Sequence, residues 1–155
     1  MKRTKMNEPE KTAYEAVRQA ILDYVEGIYE VDPTKIERSV HPTLNKGGFF
    51  EKEKGFYGFT SMTFAELIEQ SKNYNKDNKM PKDAPKEVII YEILDQIATV
   101  KLIAWWGTDY IHLAKYNDKW MIINILWQTQ QSDKLYNPNN NTTHQNAENV
   151  PNPKN

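Results

Sequence analysis

The sequence predicts an α+β fold, with three N-terminal helices packed on a curved antiparallel sheet around a central cone-shaped pocket. Three observations carry that expectation. The first half holds three amphipathic segments with helix-start signals, residues 87–128 alternate apolar and polar side chains between tight-turn signals, and the alternation collects apolar residues on one face.

The first helix is expected to start near Asn7 or Thr12, where Thr12 and Glu15 have capping-box spacing. It puts Tyr14, Val17, Ile21, Tyr24, Val25 and Ile28 on one stripe. The second is announced by Asp32 as N-cap and Pro33 at the first helical position, with Val31 and Ile36 spaced as a hydrophobic staple. His41-Pro42 should end it, because a residue before proline avoids the helical region. The third has a capping box in Thr63 and Glu66 and a Met62/Leu67 staple, and buries Phe64, Leu67, Ile68 and Tyr74. Between the second and third helices, Gly47-Gly48 and Gly55 divide an aromatic-rich stretch into a short hairpin over the pocket mouth.

From Glu87 to Gln128 four strands follow, joined by turns at Asp95-Gln96, Gly107-Thr108 and Asn117-Asp118. Two-residue loops would fix the pairing: Tyr91 opposite Val100, Trp106 opposite Asp109, Ile111 opposite Ala104 and Asn124, and Leu113 opposite Leu102 and Ile122. One face is then apolar except at Asp109 and Asn124. The other carries Trp105, Tyr110, His112, Met121, Ile123 and Trp127 and is too aromatic for free exposure, which predicts a homodimer through that outer face.

Composition narrows the functional classes. Twenty basic against 21 acidic residues give a net charge of -1, which provides no field for nucleic acid or an anionic membrane. The absence of cysteine removes disulfides, thiol nucleophiles and thiolate metal sites. Lys2, Arg3 and Lys5 are followed by Asn7, Glu8, Glu10 and Lys11 instead of an apolar run, so no signal peptide is read and a cytoplasmic location is expected. No stretch is long and apolar enough for a membrane span. The expected organisation is a frayed end over 1–7, a single pocket domain over 8–130 and a disordered Asn-rich tail over 137–155.

The order of elements, with His41-Pro42, Trp106-Gly107-Thr108-Asp109-Tyr110, Leu113-Ala114-Lys115 and Lys119-Trp120, resembles the nuclear transport factor 2-like (cystatin-like) superfamily. Within it, the bacterial group of putative lumazine-binding proteins is most similar, over Thr12 to Gln128. The resemblance implies a cone-shaped pocket that different members use for isomerisation, dehydration, epoxide hydrolysis, ligand binding or dimerisation alone.

Asp109 is the candidate catalytic residue. A carboxylate on an apolar face has a raised pKa and suits a general base, as in related ketosteroid isomerases; an Asp just after a Gly-Thr turn also caps backbone N–H groups. Tyr24, Tyr91, Trp106 and Asn124 are the candidate ligand contacts, three rings to stack and one amide to orient, although such aromatic stripes also serve as plain core. His41 is a further candidate, with capping of the second helix as the alternative role. His112 falls on the outer face and His144 in the tail, so no metal-site spacing exists, and no cofactor motif is present; Gly47-Gly48 lacks the Lys-Ser/Thr and following helix of a phosphate loop. The sequence supports a small-molecule binding domain first, for a flat heterocyclic or apolar ligand. A homodimeric interaction domain without ligand, and a lyase or isomerase using Asp109, are the alternatives.

Overall fold

A computed structural model describes residues 7–130; the tail assigned to 137–155 and residues 1–6 of the expected frayed end lie outside the described residues. The first helix, α1 (Glu8–Tyr29), is closed by a capping box one turn earlier than Thr12. Asn7 Oδ1 accepts from the Glu10 N–H and the Glu10 carboxylate accepts from the Asn7 N–H, so Asn7 belongs to the helix cap. In α2 (Pro33–Ser39), Asp32 caps the Thr34 N–H; in α3 (Phe64–Asn73), Thr63 and Glu66 form the expected reciprocal box. Each start signal satisfies N–H groups that the first helical turn leaves without an intrahelical acceptor.

Six strands follow from the remaining sequence: β1 (Val40–Glu53), β2 (Phe56–Met62), β3 (Lys86–Ile93), β4 (Ile97–Ala104), β5 (Gly107–Tyr116) and β6 (Lys119–Thr129). They form one mixed, curved, unclosed sheet in the order β2-β1-β6-β5-β4-β3, with the three helices packed against it. All neighbours are antiparallel except β1 and β6, which are parallel. The expected separate hairpin is therefore continuous with the main sheet. Gly47-Gly48 does not break β1, because the missing Cβ atoms let the strand run close under aromatic rings. A Cβ on Gly48 would lie 2.4 Å from both the Trp127 ring and its carbonyl oxygen.

The core is one layer between α1 and the sheet. Val17, Ile21, Tyr24, Val25 and Ile28 pack against Val100, Leu102, Ile111, Leu113, Ile122 and Ile125, all essentially inaccessible. Tyr14, at the start of the expected stripe, is 36% exposed and lines an open groove against the β3–β4 hairpin.

Two turns lie where the sequence puts them. Asn117 and Asp118 both have positive φ in the β5–β6 turn, and Leu94 N–H bonds to the Ile97 carbonyl around Asp95-Gln96. The β4–β5 turn is earlier than expected: Trp105-Trp106 form it and Ala104 pairs with Gly107. Leu102 thus faces Asp109 and Val100 faces Ile111, a shift of an even number of residues that leaves every side chain on its expected face.

Two bulges do change faces. Between Ile90 and Glu92 the extra residue is Tyr91, so Val88 and Ile90 point to the core and Tyr91 is 56% exposed instead of facing Val100. In β6 the extra residue is Ile123. Leu113 pairs with Ile122 as expected, but beyond the bulge His112 pairs with Asn124 and Asp109 with Trp127. Asn124 consequently turns to the outer face and Trp127 to the inner one, the reverse of their expected positions.

Candidate functional site

On the inner face, two adjacent cross-strand rows bring polar groups from distant strands together. One row runs Thr60, Gly48, Trp127, Asp109, Leu102 and Val88; the next runs Met62, Lys46, Ile125, Ile111, Val100 and Ile90. Asp109 and Lys46 are thus polar residues in otherwise largely apolar surroundings, and both are buried, at 0% and 6% exposure. Tyr24 of α1 lies between them. Lys46 Nζ donates to Tyr24 Oη at 3.0 Å, and Tyr24 Oη donates to Asp109 Oδ2 at 3.0 Å. The second Asp109 oxygen accepts from Trp106 Nε1 at 2.8 Å.

Trp106 is held by three tyrosines. The rings of Tyr24, Tyr29 and Tyr74 meet it edge to face at centroid distances of 5.8–6.0 Å. Tyr29 also ties the turn that carries Trp106 to α1: its hydroxyl accepts from the Trp105 N–H at 2.8 Å and donates to the Pro85 carbonyl. The indole is therefore a fixed wall.

Burial dominates the electrostatics. It pushes the Asp109 carboxyl up from its ordinary value, while the Lys46 charge and the bonds from Trp106 and Tyr24 pull it back. Burial pulls the Lys46 amine down, opposed by the Asp109 charge. The Tyr24 hydroxyl is pushed well up, first by burial and then by the neighbouring carboxylate, so it stays protonated and relays a hydrogen bond from amine to carboxylate.

Beside this chain lies a cavity of about 310 Å³ lined by Ile28, Lys46, Met62, Gln70, Tyr74, Trp106, Trp127 and Thr129. Its size is at the lower end of small-molecule sites, and its walls are mostly apolar with a few polar groups. Three larger depressions exist, but they are more open: one of 580 Å³ on the outer face, one of 360 Å³ beside Leu94, Ile97 and Ile123, and one of 900 Å³ between the start of α1 and the β3–β4 hairpin.

Of the residues the sequence singled out, Tyr24, Trp106 and Asp109 meet around this chain. Asp109 is no turn cap: both carboxylate oxygens accept from side chains, and the residue does not line the cavity. Tyr91 lines the distant 900 Å³ groove. Asn124 bonds to Asn45 and His112 on the outer face. His41, in β1 beyond the end of α2, binds the Thr43 N–H and hydroxyl through Nδ1 and stacks on Tyr116 with centroids 4.4 Å apart. It neither caps α2 nor approaches the cavity. Sequence reasoning missed Lys46 and Trp127. Lys46 follows Leu44 at strand alternation and was open to discovery had β1 been read through its glycines; Trp127 was hidden by the Ile123 bulge.

Among the described residues, no three His, Cys, Asp or Glu side chains are grouped to hold a metal ion, and no helix is long and apolar enough to cross a membrane.

Comparison with solved structures shows the fold. A nuclear transport factor 2-like protein of unknown function from Shewanella baltica superimposes with a TM-score of 0.61 at 18% identity, covering 81% of this chain and 100% of that one. One from Silicibacter pomeroyi gives 0.60 at 16% identity with the same coverage, and one from Methylobacillus flagellatus gives 0.52 at 16%, over 81% and 96% of the two chains. No curated protein matches the chain. The family model described as "Putative lumazine-binding" matches residues 12–128, which span α1 to β6, and the chain belongs to that family.

Proposed function

We propose that this protein is a small-molecule binding domain whose ligand is a flat molecule held in the cavity between Trp106 and Trp127. The observation that carries this reading is the cavity itself. Its two indoles come from the β4–β5 turn and from β6, Trp106 is fixed by three tyrosine contacts, and a buried amine stands beside them. Such a wall is organised before any ligand arrives, which removes much of the ordering cost of binding. The membership of a family described as lumazine-binding is in keeping with a heterocyclic ligand.

Asp109 is less suited to act directly on a ligand than its raised pKa suggests, because both oxygens are engaged and the residue is fully buried. An active role would pass through Tyr24 or Lys46. The test is a thermal-shift screen of pterins, flavins, steroids and simpler planar heterocycles on wild type and Trp106→Ala. Stabilisation of wild type that is lost in the variant supports the reading; no stabilisation by any compound refutes it.

A homodimer through the outer face is the second reading, and the register gives it a revised set of residues. Phe49, Phe59, Tyr110 and Leu126 are neighbours there and 44–60% exposed, whereas Met121 is buried and Trp127 faces inward. An apolar patch of that kind favours self-association. Sedimentation should give a dimer of the 18.2 kDa chain that Leu126→Glu dissociates; a monomer at micromolar concentration refutes it.

A further inference from the structure

Lys46 is the buried charged group that the proposed stacking of a flat ligand leaves unused. Its side chain is 6% exposed, and it sits on β1 between Ile125 and Met62 in an otherwise apolar row. An ammonium has three donors. One goes to Tyr24 Oη at 3.0 Å, and the amine lies 5.4 Å from the centroid of the same ring. The carboxylate of Asp109 accepts from Trp106 and Tyr24, and it offers Lys46 charge across the Tyr24 hydroxyl instead of a direct bond. Lys46 lines the cavity, and among the described residues the bond to Tyr24 is the one hydrogen bond its amine makes.

A buried ammonium with free donors is costly unless an acceptor arrives, and an ionised acceptor forms the strongest bond. The other polar lining groups, Gln70, Tyr74 and Thr129, are neutral and lie among Ile28, Met62 and the two indoles. Among the described residues, Lys46 is thus the only cation lining the cavity. From these contacts we propose that the site selects planar acids: Lys46 Nζ receives a ligand carboxylate while Trp106 and Trp127 flank the ring. This rests on the binding reading above and adds the chemical class. Lys46 is the specificity residue, and the Tyr24 and Asp109 chain is what holds its amine in place.

The test uses matched pairs that differ only in charge: naphthalene-2-carboxylate against its carboxamide, quinoline-2-carboxylate against its carboxamide, and benzoate against benzamide. Dissociation constants come from quenching of intrinsic tryptophan fluorescence, with calorimetry as a check, on the full chain. At least one acid should bind wild type about tenfold or more tighter than its amide, and Lys46→Met should bring the two within about twofold. If Lys46→Met does not fold, the double variant Lys46→Met/Asp109→Asn, which removes both buried charges, carries the same comparison. Acid and amide binding wild type equally well overturns the selection for acids and leaves the binding site standing. An acid preference that survives the loss of Lys46 overturns the role of that residue. Failure of acids and amides alike to bind, with no stabilisation in the heterocycle screen, overturns both the class and the site.

Discussion

Replacing Lys46 by methionine tests the buried electrostatics without any ligand. Methionine is close in volume and apolar, so packing against Ile125 and Met62 is largely kept and the change is one of charge. It leaves Asp109 inaccessible, with the bonds from Trp106 and Tyr24 and no opposing charge. Removing one member of a buried pair costs about 3–5 kcal/mol. Two effects limit that figure. A buried carboxyl can escape its charge by taking up a proton, at about 1.4 kcal/mol for each pH unit above its unfolded pKa near 3.9, which caps the loss at pH 7 near 4 kcal/mol. Methionine also spares the desolvation of the ammonium, whose pKa burial already lowers. The expected loss at pH 7 is about 2–4 kcal/mol.

The sign with pH follows from the same linkage. With Lys46 gone, the folded-state pKa of Asp109 rises further above its unfolded value, so the folded state holds the proton over a wider range. The variant then loses stability as pH rises from about 4 through the folded pKa, and its deficit against wild type is smaller at pH 5 than at pH 7. Urea unfolding at both values measures this, and adding Asp109→Asn should recover part of the loss at pH 7. A deficit that grows toward pH 5, or no recovery in the double variant, would refute the assignment of Lys46 and Asp109 as a coupled pair.

Gly48→Ala should destabilise the fold by about 1–3 kcal/mol in chemical unfolding and shift tryptophan emission, because the new methyl meets both the ring and the carbonyl of Trp127 at 2.4 Å. An unchanged midpoint would show that β1 can move away from β6. The Arg38 guanidinium holds the Asp23 carboxyl below its ordinary value through two bonds of 2.8 and 2.9 Å, with Gln19 adding a third. That contribution is present above the unfolded carboxyl pKa and lost as pH falls through the lower folded one, so Asp23→Asn should be less stable than wild type at pH 6 and the gap should close towards pH 3. Equal gaps at both ends, in urea titrations, would assign the effect to something other than this ion pair.

Local chemistry made the helices legible. Asp32-Pro33 and the Thr63/Glu66 pair each specify a helix start through bonds made within a few residues. Strand alternation likewise gave the right face to Leu102, Asp109, Ile111 and Leu113, even though the β4–β5 turn was misplaced, because an even shift preserves parity. The site was less legible because it depends on two bulges and one parallel pairing. Nothing in the letters around Tyr91 or Ile123 marks either as the extra residue; the first bulge inverts the part of β3 that precedes it, and the second the part of β6 that follows it. That is why Tyr91 and Asn124 left the expected pocket and Trp127 entered it. Lys46 enters through the pairing of β1 with β6, between residues about eighty positions apart, which no local signal encodes.

The strand order leaves two borders with different defences against other chains. On β3 the free rim carries Lys86, Glu87 and Glu92 and is kinked at Tyr91, features that discourage a foreign strand from docking. On β2 the rim reads Phe-Tyr-Gly-Phe-Thr-Ser-Met, without a charge or a proline. Its free N–H and C=O groups are the open end of the hydrogen-bond ladder, and Phe56 and Phe59 beside them are 69% and 60% exposed. Concentrated samples should therefore self-template at β2 before anywhere else on the sheet, and a lysine introduced at Ser61 is the natural gatekeeper.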